Sequence, residues 1–244
     1  MATDAAGSER SRDGYAAATA PARWVLVAAP AIVVAALALF VFIAEDVLDG
    51  GGLISRDESV LHWFVDHRTD ALVRAAKVAG VIGSFVPLAV AALVVGAVLW
   101  RRGWSLVLAA APIVSLCLAG LASTIAKTAF DRPRPPAEFR AVDVTLAAFP
   151  SGHATDAAAF FLATAFVLAI TVTRRRAVQA VLVAVGAVCA LLIGVSRLVL
   201  GVHWLSDVVA GWSLGTAAAV AIVVAAWTWT TRDRQTMPRR ASAP

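Results

Sequence analysis

Three short polar clusters interrupt an otherwise apolar chain, and their residue types suit chemistry on a phosphate group. Lysine and arginine bind phosphate oxygens, and a histidine oriented by a carboxylate can act as a nucleophile or a base. Each cluster lies at the end of a hydrophobic stretch, which suggests a site assembled at a membrane surface. The clusters are Lys127 with Arg134 and Pro135, Pro150-Ser151-Gly152-His153, and Ser196-Arg197 with His203 and Asp207.

The first cluster offers two cations to one anion. Lys127 alone would be interpreted as a terminal lysine that extends its ammonium group to the membrane interface. Arg134 follows seven positions later in the loop 131–136, whose prolines end the helix and stiffen the chain. An arginine fork and a lysine point charge can then bind the same anion. Arg132, in the same loop, could support these two cations or face solvent, and solvent is the favoured expectation.

The second cluster stands directly before an apolar run. Ser151 is a good helix cap, which alone would explain the motif. The same helix N-terminus also offers backbone N–H groups to an anion, and Gly152 lets that anion approach the backbone closely. His153 would then lie beside the bound anion, where it could donate a proton. Asp156 is interpreted as compensation of the helix dipole and not as a catalyst.

The third cluster places a histidine and a carboxylate four residues apart. On a helix, His203 and Asp207 would lie on one face within reach of each other. A carboxylate bound to one ring nitrogen fixes the tautomer and leaves the other nitrogen free to attack or to take a proton. Arg197 adds a third cation. A polar turn with incidental side chains is the alternative for this cluster taken alone.

The composition indicates an integral membrane protein. Of 244 residues 60% are hydrophobic and 15% are charged, whereas a soluble domain carries about a quarter charged residues. The mean hydropathy is +0.81. The net charge of +5 does not point to nucleic acid, because the arginines cluster between apolar runs. Cys117 and Cys189 fall inside such runs and are expected to be core residues without a disulfide or a metal.

Six charge-free apolar runs predict the architecture. Each is close to the length of about 20 residues that a helix needs to cross the hydrocarbon core of a bilayer. Alternation of polar and apolar residues, which a membrane β-barrel requires, is absent. We therefore expect an all-α membrane bundle of six transmembrane helices. The runs are 24–44, 78–100, 103–126, 157–173, 177–196 and 208–231.

The charges between the runs predict the topology. With both termini in the cytoplasm, the inner segments hold 12 of the 21 basic residues, as the positive-inside rule requires. Every polar cluster then lies on the extracytoplasmic side of the cell membrane. Residues 1–23 and 232–244 are expected to be cytoplasmic tails, the first disordered and the second basic, around a membrane domain of 24–231. The segment 57–68 predicts a short surface helix, whose His62 and His67 are not expected to be catalytic.

Taken together, the spaced residues resemble the three-part signature of the type 2 phosphatidic acid phosphatase family, which shares its site with vanadium-dependent haloperoxidases. The resemblance implies that His203 is a nucleophile that forms a phosphohistidine, that Asp207 orients it and that His153 protonates the leaving oxygen. It implies no metal or other cofactor. The phosphate-binding set that it implies is Lys127, Arg134, Ser151, Gly152 and Arg197.

The resemblance also limits the substrate to a phosphate or diphosphate of a membrane lipid. The motif sequence Pro-Ser-Gly-His-Ala-Thr slightly favours an undecaprenyl-type prenyl diphosphate as the substrate. The alternatives are phosphatidic acid and phosphatidylglycerol phosphate. A soluble haloperoxidase is disfavoured by six spans, and a non-catalytic lipid-phosphate binding protein or transporter would not need both histidines and Asp207. The sequence leaves the oligomeric state open.

Overall fold

A computed structural model describes residues 23–236 as a bundle of α-helices with short connections, and these residues form no strand. Two 3-10 helices, Gly52–Arg56 and Ala137–Phe139, lie in the connections. The helices are α1 Arg23–Asp49, α2 Asp57–His67, α3 Asp70–Ile82, α4 Phe85–Arg101, α5 Leu106–Ala109, α6 Ala111–Phe130, α7 Gly152–Val172, α8 Arg176–Val199 and α9 Leu205–Thr236.

The helices are long enough for the predicted six crossings of a membrane. Five are sufficiently long and apolar on their own, namely Ala28–Asp49, Ala111–Phe130, Gly152–Val172, Arg176–Val199 and Leu205–Asp233. The sixth is the pair α3 and α4, which together pass the same test but are bent by 54°. The all-α membrane bundle expected from the sequence is confirmed.

The bend in the second span has a cause in the sequence. Pro87 is the third residue of α4. It has no N–H to donate to the carbonyl of Gly83, and its ring would clash with that carbonyl if one helix continued through both positions. The chain therefore ends α3 at Ile82 and starts α4 at Phe85.

Two glycines let α9 pack directly on the backbone of α7. A Cβ at Gly211 would lie 2.7 Å from the carbonyl oxygen of Ser151, and one at Gly215 would lie 2.3 Å from that of Thr155. Small residues four apart allow such close approach of membrane helices. The backbone N–H of Ser151 also donates to the carbonyl of Asp207 at 2.9 Å. The second and third polar clusters are thereby held against each other.

The connection from α6 to α7, which carries the first cluster, is tied to neighbouring segments. The indole N–H of Trp204 donates to the carbonyl of Pro133 at 2.9 Å. The backbone N–H of Ala141 donates to the carbonyl of Leu200 at 2.9 Å. Arg68 reaches across from the end of α2 and donates to the carbonyl of Phe139 at 2.8 Å. These bonds fix the loop over the end of the bundle where α6 ends and α7 and α9 begin, which we call the site end.

The predicted surface helix over 57–68 corresponds to α2, and His62 and His67 are exposed on it. Of the predicted tails, residues 1–22 and 237–244 lie outside the described part of the chain. Residues 232–236 continue α9.

Candidate active site

The three polar clusters meet at the site end. Arg134 of the first cluster donates from Nη1 to Nε2 of His203 in the third at 3.2 Å. Lys127 donates from Nζ to the carbonyl of Pro150 in the second cluster at 2.6 Å. Arg134 lies close enough to Lys127 and Arg197 to repel both electrostatically.

His203 is held in one tautomer at the start of α9. Its Nδ1 lies 3.2 Å from Oδ2 of Asp207, and the backbone N–H of Trp204 donates to the same oxygen at 2.9 Å. Arginine has only donors, so Nε2 of His203 accepts from Arg134 and Nδ1 carries the proton. Burial lowers the pKa of His203 to about 4, although the hydrogen bond to Asp207 opposes the shift. The imidazole is therefore neutral at neutral pH, with its lone pair on Nε2.

Lys127 and Arg134 donate hydrogen bonds to backbone carbonyls and to no carboxylate of the described residues. Lys127 bonds to the carbonyl of Ala147 at 2.9 Å as well as to that of Pro150. Arg134 donates to the carbonyls of Leu146 and Val202. Burial lowers the pKa of the Arg134 guanidinium, with the charge of Asp207 opposing. Neither cation makes an ion pair within residues 23–236.

Arg197, at the end of α8, is buried against α3. Its guanidinium donates to the carbonyl of Ala76 at 3.1 Å and to the hydroxyl of Ser196 at 3.0 Å. A Cβ at Gly80 would clash with Nη2 of Arg197, so a larger residue there would displace the guanidinium from this position. Among the described side chains it, too, has no carboxylate partner.

The residues before and in the first turn of α7 complete the site. The hydroxyl of Ser151 is buried and has no hydrogen-bond partner among the described residues. A Cβ at Gly152 would meet only Cε of Lys127, at 3.8 Å, so this backbone is open beside the lysine. His153 lies next to the backbone of Gly80 and senses the charges of Arg197 and His203. All the residues expected to bind phosphate or to act on it are therefore close together.

Three interpretations made from the sequence are wrong. Cys117 is not a core residue but is exposed on α6, and Cys189 is half-buried. Arg132 does not face solvent but is buried between two carboxylates, 2.8 Å from Oδ2 of Asp57 and 2.6 Å from Oδ1 of Asp207. Its Nη1 also donates to the hydroxyl of Ser206 at 2.7 Å. Asp156 is the fifth residue of α7 and is buried. It therefore lies beyond the first turn, which is where an acidic side chain compensates the helix dipole. The unit of Asp57, Arg132, Ser206 and Asp207 is called the paired cluster below.

Asp57 was missed by the sequence analysis. It accepts from the backbone N–H of Ser206 at 2.9 Å and from its hydroxyl at 2.6 Å. It therefore joins α2 to the first turn of α9, next to Asp207. In the sequence it is one acidic residue at the start of an amphipathic helix, where an acidic residue is ordinary, so no local signal could have identified it.

The positive charge at the site end comes from side chains of the protein. Within residues 23–236, no group of three or more His, Cys, Asp or Glu side chains is placed to hold a metal ion. Lys127, Arg134 and Arg197 are called the open cations below, because none of them has a carboxylate partner among the described residues.

Comparison with known proteins agrees with the resemblance drawn from the motifs. The family model of the PAP2 superfamily matches residues 108–232, just over half of the chain. A crystal structure of a transmembrane PAP2-type phosphatidylglycerolphosphate phosphatase from Bacillus subtilis matches with a TM-score of 0.70 and 22% identity, over 84% of this chain and 98% of that one. At this identity the likeness establishes the fold. No curated protein sequence matches the chain. The chain belongs to the PAP2 superfamily.

Proposed function

We propose that this protein is a membrane-lipid phosphatase, which hydrolyses a phosphate ester or diphosphate of a lipid. The observation that supports this most strongly is the arrangement of the open cations around His203. Buried cations are costly unless an anion neutralises them, and a phosphate group brings the charge that these three lack. The neutral imidazole of His203 adds a nucleophile at the same place.

The proposed reaction has two steps. Nε2 of His203 attacks phosphorus, the bond from phosphorus to the lipid oxygen breaks, and His153 gives that oxygen a proton. Water then attacks the phosphohistidine, His153 takes a proton from the water, and the bond from phosphorus to Nε2 breaks, releasing phosphate. Asp207 holds Nδ1–H throughout and stabilises the positive charge that the ring carries in the intermediate.

In this mechanism Arg134 also determines when Nε2 of His203 is free to attack. Its hydrogen bond to Nε2 of His203 uses the lone pair that must attack phosphorus. The guanidinium must therefore move from Nε2 to a phosphate oxygen before the first step, and the substrate's own charge draws it there. Lys127, Arg197, the hydroxyl of Ser151 and the N–H of Gly152 can bind the remaining oxygens and stabilise charge in the transition state.

The substrate class is supported by the position of the site in a membrane bundle. A lipid can place its phosphate at the end of the helices while its tail stays in the bilayer. The wording of the second motif favours isoprenyl diphosphate. The fold neighbour acts on phosphatidylglycerol phosphate, which favours a lipid with a glycerol headgroup.

One assay tests the proposal. Release of phosphate by the purified protein is measured with isoprenyl diphosphate, phosphatidic acid, phosphatidylglycerol phosphate and a soluble phosphate ester under the same detergent conditions. We expect turnover of at least one lipid and a lower kcat/KM for the soluble ester, because truncating a substrate removes remote binding energy. Preference for the soluble ester would contradict a lipid phosphatase. Binding of lipid phosphates without turnover would indicate a binding protein or transporter.

We further propose that both termini are cytoplasmic and that the site end is extracytoplasmic. The bias of basic residues to the other end of the bundle supports this orientation. Glu138→Cys, in a background lacking Cys117 and Cys189, places a thiol in the exposed loop at the site end. A membrane-impermeant thiol reagent should label it in intact cells. Labelling only after lysis would place the site in the cytoplasm.

A further inference from the structure

A cavity adjoins the proposed phosphate site, and His203 is not among the residues that line it. Its volume is about 690 Å³, and it lies between α6, the start of α7, the start of α4 and the loop 145–147. Lys127 and Gly152 line it, so the cavity is continuous with the place where a phosphate would be bound. The proposed mechanism uses no other part of it.

Two polar side chains on the cavity wall are buried without partners. Ser123 on α6 is 2% exposed and Asp156 on α7 is 8% exposed. The hydroxyl of Ser123 and Oδ1 of Asp156 make no hydrogen bond with any described residue. Leaving such groups unpaired costs free energy. Two of them on one cavity wall indicate a ligand that supplies the missing bonds.

Their positions relate them directly to the phosphate site. Ser123 precedes Lys127 by four residues on α6, and Asp156 follows Gly152 by four residues on α7. Residues four apart lie on the same face of a helix, about one turn or 5.4 Å along its axis. The pair therefore lies one turn deeper in the bundle than the lysine and the glycine that would hold the phosphate.

We infer that Ser123 and Asp156 form a subsite for a hydroxyl group of the leaving alcohol, on the carbon next to the one that carries the phosphate ester. This inference rests on the proposed function. The oxygen of this hydroxyl group is several bonds from phosphorus, and its distance from phosphorus is comparable with the rise of one helical turn. A carboxyl group always keeps at least one acceptor oxygen, and a serine hydroxyl can both donate and accept. A ligand hydroxyl, itself a donor and an acceptor, satisfies both.

The same chemistry disfavours isoprenyl diphosphate. Its second phosphate would occupy the space next to the ester oxygen, bringing oxygens that are mainly acceptors and carry negative charge. Beside Asp156 these oxygens bring no donor for the carboxyl oxygen that lacks a hydrogen bond, and they repel the carboxyl group whenever it is ionised. The subsite therefore selects a lipid phosphate with a glycerol-like headgroup over the isoprenyl diphosphate that the motif wording favours.

The mouth of the cavity fits a lipid with such a headgroup. Phe85, Leu121 and Leu146 line the cavity and are exposed. Phe85 and Leu121 lie on helices of the predicted membrane spans, where exposed apolar side chains can contact acyl chains. A lipid can thus leave its tail at this mouth and extend its polar headgroup past Ser123 and Asp156 to the open cations.

Two matched substrates test the subsite. One is phosphatidylglycerol phosphate; the other has a 1,3-propanediol headgroup and differs only by loss of the central hydroxyl. We expect the wild-type protein to show a kcat/KM about 10-fold or more lower for the deoxy compound, since its binding leaves Ser123 and Asp156 unpaired. Equal kcat/KM values would overturn the subsite but keep the phosphatase. Hydrolysis of neither compound together with turnover of isoprenyl diphosphate or phosphatidic acid would overturn the subsite but keep the phosphatase. Hydrolysis of no lipid phosphate at all would overturn both proposals.

Variants assign the preference to the two side chains. Asp156→Val and Ser123→Ala should bring the ratio of the two kcat/KM values close to one, with activity on the deoxy compound retained. Asp156→Asn keeps an acceptor and should keep most of the preference. Ser115→Ala is the control, because Ser115 is a buried, unpartnered serine of α6 that does not line the cavity. An unchanged ratio in Asp156→Val, or equal losses on both substrates in Asp156→Asn and Asp156→Val, would overturn the assignment.

Discussion

Arg132 and Arg134 are two residues apart in one loop, yet their surroundings are opposite. Arg132 lies between the carboxylates of Asp57 and Asp207. Arg134 contacts carbonyl groups and His203 and has no carboxylate partner among the described residues. The charge of Arg132 is neutralised within the protein, whereas that of Arg134 is not neutralised by any described carboxylate and is available to the proposed phosphate. Arg132 thus holds the carboxylates around His203 in place, whereas Arg134 is proposed to bind the substrate.

His203 lies at the boundary between the two environments. Its Nδ1 faces Asp207 of the paired cluster, and its Nε2 faces Arg134 of the open cations. The paired cluster therefore sets the tautomer and orientation of the ring. Arg134, one of the open cations, contacts the nitrogen that attacks phosphorus in the proposed mechanism.

Arg134→Gln should cause the largest loss of activity among the loop variants. It removes a charged donor to the transferring phosphate, and loss of such a group costs about 100- to 1,000-fold in rate. The Tm should fall much less than in Arg132→Gln, because the loss of hydrogen bonds to the carbonyls of Leu146 and Val202 is offset by removal of a mutually repelling cation. Steady-state kinetics and the Tm in detergent measure both effects. Vanadate, an analogue of the transferring phosphate, should inhibit this variant more weakly.

Arg132→Gln should have the opposite signature. It leaves Asp57 and Asp207 without their cation, and breaking a buried ion pair in this way costs about 3–5 kcal/mol of stability. We expect a clearly lower Tm, a loss of activity of about 10-fold because Asp207 is less well oriented, and normal sensitivity to vanadate. If Arg132→Gln and Arg134→Gln matched in Tm, kcat/KM and vanadate inhibition, the distinction between the two environments would be wrong.

Asp57→Asn should have a smaller effect of the same kind. The amide oxygen can still accept from Ser206, but the charge that holds Arg132 is lost. We expect a lower Tm and a loss in kcat of a few fold, with KM unchanged, because Asp57 is linked to His203 indirectly, through Arg132 and Asp207. Glu58→Gln, at the exposed neighbouring position, is the control and should leave both quantities unchanged. Equal effects in the two variants would show that α2 does not support the site.

The pH dependence of stability should report the burial of His203. Because its pKa is about 4 in the folded protein and 6.5 in an open chain, the unfolded state binds more protons between these values. The contribution of His203 to the free energy of unfolding is therefore complete above pH 6.5. It is lost as the pH falls towards 4, by about 1.4 kcal/mol per pH unit. Wild type should therefore lose Tm more steeply than His203→Gln. Parallel curves would contradict a buried neutral imidazole.

Much of the fold could be predicted because its signals are local. Hydropathy over about 20 residues predicts each span, and the positive-inside rule supplies an orientation. The single run predicted over 78–100 does not show the break between α3 and α4, which Pro87 explains once the structure is known. The motif residues come together because every cluster lies at the same end of helices that alternate in direction.

The partners of those residues could not be predicted. Asp57 and Arg132 are 75 residues apart in the chain, and Asp57 and Ser206 are 149 apart. Nothing in the local sequence distinguishes the paired Arg132 from the unpaired Arg134. The roles inferred for Ser123 and Asp156 likewise depend on a cavity between two helices, which only the packed structure contains.

The central claim is that the open cations present a phosphate group to Nε2 of His203. Its most direct test is a rapid-quench reaction of the purified protein with a lipid labelled in its terminal phosphate. We expect a transient label on wild-type protein that is stable in base, is lost in acid and maps to the peptide containing His203, and no label on His203→Ala. Full turnover by wild type without labelled protein at any time, or undiminished labelling of His203→Ala, would contradict the account.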